Sequence, residues 1–157
     1  MTRVARTLAS MVAAAMLLTA CGEQPPVDTT QTAGSQDHSL QVLVEQRAVD
    51  ALATDIGRFV ALRPTATVSW GGGTADAIAT TVKQGYRNSV VVLPSGPALD
   101  RIRDELLDPP ARLGRLRGVT YWVCTVDKSG RPFARYLTGR RSLRVLQSQG
   151  FDVSLPP

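Results

Sequence analysis

An α/β lobe with a single, mostly parallel sheet and flanking helices is predicted by three features of the sequence. Strand-like and helix-like segments alternate from Leu40 onward. Ser89-Val90-Val91-Val92-Leu93 is a continuous, mostly β-branched run, the pattern of a strand buried on both faces. Residues 66–85 read as a strand, a glycine turn and an amphipathic helix. This succession closes as right-handed crossover units around a parallel sheet, and residues 39–157 suffice for one domain with one core.

Taken in order, residues 40–44 are strand-like, and Ala48, Leu52, Ile56, Phe59 and Val60 mark the buried stripe of a helix that Pro64 stops. Val68 and Trp70 alternate with polar neighbours as in a half-buried strand, and Gly71, Gly72 and Gly73 are expected to turn. Thr74 is placed to cap the following helix. That helix buries Ala75, Ile78, Ala79 and Val82, and Gly85 is expected to end it. Beyond the 89–93 strand, Pro97 suits a helix's first turn, Leu99, Ile102 and Leu106 line its inner face, and Pro109-Pro110 blocks continuation. A basic connector leads to a strand at 119–126. Two short helices broken at Gly139 follow, with Phe133, Leu137, Leu143 and Leu146 inward. The 40–44 strand is expected between the 66 and 89 strands. The 119–126 strand would complete the sheet in either direction.

At the N-terminus, Arg3 and Arg6 precede an apolar run too short to span a bilayer, with small residues before Cys21: a secretory signal over residues 1–20. Leu18-Thr19-Ala20-Cys21 resembles a bacterial lipobox, which implies cleavage before Cys21, its acylation, and anchoring on the extracytoplasmic face of the cell membrane. Residues 21–38 hold Pro25, Pro26 and a polar run without apolar periodicity, and form a flexible tether of roughly 20–25 Å root-mean-square reach.

The chain carries 18 basic and 13 acidic residues, +5 overall. Loss of Arg3 and Arg6 with the signal leaves +3. Between 112 and 144, Arg112, Arg115, Arg117, Lys128, Arg131, Arg135, Arg140, Arg141 and Arg144 face only Asp127. Such a basic stretch is a solvated face, or meets phospholipid headgroups, an acidic partner or an anion. Nucleic acid is not expected of an exported chain without a stacking series of aromatics. With one histidine, His38, lying in the tether, and Cys124 in an apolar strand as a small core residue, neither a metal set nor a cofactor site is expected. The same lack of a base leaves Ser69, Ser89 and Ser95 unactivated, so an enzyme is not expected.

Over residues 40–95 and 119–151 the chain resembles the bacterial extracellular solute-binding proteins of the molybdate-binding type. Residues 44–48 stand where that family's first strand enters a helix, residues 71–75 where a Gly-Gly-Ser-Gly turn follows its second, and Gln84-Gly85 where the next helix closes. Tyr121, Phe133, Tyr136, Leu137 and Gly150-Phe151 match the closing segment. The resemblance implies a type II periplasmic-binding-protein-like fold, an oxyanion ligand and an ABC permease partner. Arg47 occupies the place of the first oxyanion-binding serine, and Thr74 or Ala75 that of the second. Only residues 94–118 stand where the family inserts a second lobe, so a one-lobed version is expected.

The helix start after Gly73 offers unpaired amides, and guanidinium suits tetrahedral anions. Arg47, Gly73, Thr74 and Ala75 are therefore the candidate anion site. Two functions follow: an envelope lipoprotein resembling the substrate-binding component of an ABC importer for a small oxyanion such as molybdate, or a scaffold lipoprotein that uses the same lobe to contact a protein or envelope partner.

Overall fold

The computed structural model describes residues 39–86 and 89–153. The expected signal segment, Cys21 and the expected tether lie outside the described residues. The strands are β1 (Ser39–Glu45), β2 (Thr67–Gly73), β3 (Val90–Pro94), β4 (Ala111–Leu116), β5 (Val119–Thr125) and β6 (Phe151–Asp152). The helices are α1 (Val49–Ala61), α2 (Ala75–Lys83), α3 (Pro97–Arg101), α4 (Arg131–Leu137) and α5 (Arg140–Ser148), with 3-10 turns at Gln46–Ala48, Arg103–Glu105 and Lys128–Gly130. Among the described residues they form one α/β lobe around a six-stranded sheet ordered β2-β1-β3-β5-β4-β6.

β1 lies between β2 and β3 and is parallel to both, as its sequence position and apolar content imply. β5 runs antiparallel to β3, which settles the direction the sequence left open. The parallel arrangement therefore holds for the first half of the sheet. The second half is antiparallel because residues 111–118 are not a connector: they form β4, which turns at Arg117 and Gly118 into β5. Ala111, Leu113 and Leu116 give β4 its inward residues despite two arginines, and a bulge between Arg112 and Gly114 shifts their spacing by one. At that bulge Gly114 has φ 148°, and an added Cβ would stand 2.6 Å from the Asp152 carbonyl oxygen, so β6 pairs there only with glycine. The Gly150-Phe151 pair opens this short last strand.

The expected glycine turn is also corrected. Gly71, Gly72 and Gly73 continue β2 in unbroken register opposite Leu43, Val44 and Glu45. Their small size serves packing: a Cβ on Gly72 would lie 2.7 Å from the Val49 side chain, so α1 starts directly over the strand. Thr74 then caps α2, its hydroxyl accepting from the Ala77 N–H at 3.2 Å, and Gly85 follows the helix at φ 74°. Pro97 opens α3 and Gly139 separates α4 from α5, as expected. Val60, expected in the buried stripe of α1, is exposed.

Each face of the sheet has its own core. On one, Leu40, Val42 and Val44 meet Leu52, Ile56 and Phe59 of α1, Phe133 and Leu137 of α4, and Leu143 and Leu146 of α5. The Phe59 and Phe133 rings pack edge to face, centroids 4.9 Å apart. On the other, Val91, Leu93 and Cys124 meet Ile78, Ala79 and Val82 of α2 and Leu99 and Ile102 after α3. Burial pushes the Cys124 thiol up to about 12, so it is a packing residue rather than a nucleophile. Both cores are built from side chains between Leu40 and Phe151, so the chain from Gly22 onward carries all of this packing.

Candidate functional site

Strands β1 and β2 end side by side, Glu45 opposite Gly73, and each leads into a helix at the carboxyl edge of the sheet. This is where an open parallel sheet presents its ligand loops. The arrangement brings the segment after β1, with Arg47, beside the segment after β2, with Thr74 and Ala75. Arg47 and Thr74 are exposed, and Gly73 and Ala75 half-buried. Because Gly73 belongs to β2, the loop contributed by that strand begins at Thr74 rather than at Gly71.

The residue that decides the chemistry of this corner is Glu45, which sequence reasoning passed over. It is the last residue of β1 and is 8% exposed. Its Oε2 accepts the Arg47 backbone N–H at 3.1 Å, capping the Gln46–Ala48 turn, and accepts the Tyr121 hydroxyl at 2.8 Å from β5. The helix start after β1 is thus already served by a carboxylate of the chain itself. Burial first, then the bond to Glu45, pushes the Tyr121 hydroxyl up to about 12, so Tyr121 remains a donor at any physiological pH. The available signal was positional: a carboxylate on the last residue of an apolar strand, immediately before a helix.

The start of α2 carries a second carboxylate. Asp76 lies in its first turn and accepts from Arg101 at 2.8 Å, and the same guanidinium donates to the Asp76 carbonyl oxygen at 3.3 Å. An anion approaching Thr74 would meet Asp76 on one side and Glu45 on the other, with Arg47 as the nearby cation.

Two clefts lie elsewhere. One of about 490 Å³ is lined by Asp108, Ala111, Val123, Thr125, Arg131 and Arg135. There Arg131 holds Asp108 in a bidentate pair, both bonds 2.9 Å, which lowers the Asp108 carboxyl below its ordinary range and raises the guanidinium. The other, about 450 Å³, lies at the start of β1 among Leu40, Phe59, Leu62, Arg63, Ser129 and Pro132. Arg47, Gly73, Thr74 and Ala75 line neither. A buried polar contact remains between α1 and the last two helices: Asp55 accepts from the Tyr136 hydroxyl at 3.3 Å, while its Oδ2 and the Ser142 hydroxyl make no hydrogen bond. Burial raises the Asp55 carboxyl, opposed by the Tyr136 hydroxyl and Arg58.

No family model matches the chain, and no curated protein matches it. Among solved structures, one from Clostridium difficile described as the "substrate binding domain of putative molybdenum ABC transporter" is similar, with a TM-score of 0.45 and 12% identity. The similarity covers 49% of this chain and 35% of that one, so the chain spans about a third of that structure's length.

Proposed function

We propose that the chain is a lipid-anchored protein of the bacterial envelope whose single lobe, of the solute-binding type by its sequence motifs, works as an interaction scaffold rather than by capturing a free oxyanion. The observation that carries this reading is Glu45. Its carboxylate takes the Arg47 amide at the helix start after β1, is held by Tyr121, and stands at the end of the strand beside the one that leads to the amides after Gly73. The corner is also open, whereas small-ligand sites bury most of their ligand. Titrating molybdate, tungstate, sulfate and phosphate into the chain from Gly22 onward tests it. The expected result is no heat and no melting shift at millimolar anion, since a ligand bound by the native state alone must raise the melting temperature.

The oxyanion-receptor reading is favoured by one observation, the Glu45–Gly73 register that sets Arg47 beside Thr74 and Ala75. Under it, Arg47 supplies charge, the amides after Gly73 and the Thr74 hydroxyl supply donors, and an ABC permease is the partner. Saturable binding that disappears in Arg47→Ala and weakens in Thr74→Val would establish this second reading and end the first. Under both readings Cys21 is acylated. Fractionation beside Cys21→Ala, with a lipid mass on the wild type only, checks that step separately.

A further inference from the structure

We propose that the α4–α5 face of the lobe is a docking surface for an anionic phospholipid bilayer. At about 100° per residue, Arg140, Arg141 and Arg144 fall within an arc of about 100° on α5. That arc lies opposite the buried Ser142, Leu143 and Leu146, and all three arginines are exposed. Residues 128–151 contain Lys128, Arg131, Arg135 and these three arginines, and no Asp or Glu. Arg131 is taken up by Asp108, but Arg141 and Arg144 make no ion pair among the described residues. Arg141 stands in the first turn of α5, where its charge opposes the helix macrodipole.

The opposite face of the sheet is charged differently. There Asp76, Asp100 and Glu105 are paired with Arg101, Arg103 and Lys83 at 2.8, 3.0 and 3.0 Å. The positive field therefore belongs to one side of the lobe. A protein interface needs an apolar centre, and the exposed large apolar residues among those described, Val60, Leu62, Trp70, Tyr86 and Leu107, are all off α4 and α5. A fluid headgroup layer needs no shape match, and guanidinium binds phosphate well. Position agrees with charge. Leu40, next to the first described residue, lines the same cleft as Pro132 of α4.

The inference takes only its location from the anchored-lipoprotein reading, and its test is independent of acylation and of oxyanion binding. The unacylated chain from Gly22 onward is sedimented with vesicles of phosphatidylcholine, with or without phosphatidylglycerol as about a third of the lipid. Binding is expected only to the anionic vesicles, falling steeply as salt rises. Arg140→Ala, Arg141→Ala and Arg144→Ala together should lower the partition constant about a hundredfold, from the usual contribution of each basic residue near a charged leaflet. Lys83→Ala, Arg101→Ala and Arg103→Ala remove the same charge from the other face and should leave binding nearly unchanged. Equal loss from both triple variants, or no binding to anionic vesicles at low salt, overturns the proposal. Should the α5 triple variant fail to fold by circular dichroism, Arg141→Gln with Arg144→Gln gives the same comparison with a smaller loss.

Discussion

The two faces of the sheet are built by different means. The α1–α4–α5 face has the larger core, with interlocked Phe59, Phe133 and Tyr136 rings, a buried carboxylate at Asp55, and cations on its outside. The α2–α3 face has a smaller, aliphatic core and binds its short helices together through exposed ion pairs. Burial scales with area and exposed ion pairs contribute little, so the first face should carry most of the stability, and the second owes its cohesion chiefly to Ile78, Val82, Leu99 and Ile102.

The comparison breaks most readily in the cores. Phe133 is fully buried against Phe59, and Phe133→Ala should cost about 3–5 kcal/mol. Leu99→Ala, in the smaller aliphatic core, should fall near the low end of about 2–5 kcal/mol. Urea denaturation of both variants measures the difference. If Leu99→Ala costs more, the assignment of stability to the aromatic face is wrong.

Asp55 sharpens the contrast through pH. Its carboxyl is raised in the folded state, so the native protein holds the proton more tightly than the unfolded chain. The stability it contributes is full below the ordinary carboxyl value and is lost as pH rises through the raised one. Asp108 has the opposite sign: lowered by Arg131, it contributes above the ordinary value and loses that contribution on acidification. Asp55→Asn should therefore raise the melting temperature at neutral pH and remove the gain in stability expected as pH falls from neutrality toward the ordinary carboxyl range. Melting curves across that range, with Asp108→Asn alongside, separate the two groups.

The smallest effect is expected on the ion-paired face. Lys83 and Glu105 are both substantially exposed, and Lys83→Ala should change stability by no more than about 1 kcal/mol. A larger loss in the same denaturation experiment would mean that the ion pairs, rather than the aliphatic core, hold α2 to the segment after α3.

What could be read without coordinates was whatever depends on local pattern. The Val90–Leu93 run, the Thr74 cap, the Gly139 break and the inward Phe133, Leu137, Leu143 and Leu146 all act within one or two turns or along one strand. The features that escaped depend on a distant partner. Gly71–Gly73 look like a turn until they are seen to continue β2 with α1 starting close over Gly72, because tolerance of a close neighbour and freedom to turn have the same sequence signature. β4 was hidden by its arginines and by the bulge that shifts its alternation. The candidate loops were placed together correctly, but Glu45 was missed because its capping role completes itself only with Tyr121, 76 residues away.

That long-range bond bears on how the lobe assembles. Strands β1, β2 and β3 come early in the chain, yet the carboxylate at the end of β1 is buried and finds its hydroxyl partner only when β5 has been laid down beyond β3. Until then the carboxylate has only the Arg47 N–H, two residues on, to offset the water that further collapse would strip from it. Chain closure over such a separation is slow compared with helix formation. Full satisfaction of the Glu45 carboxylate therefore waits on the strand that joins the antiparallel half to the parallel one.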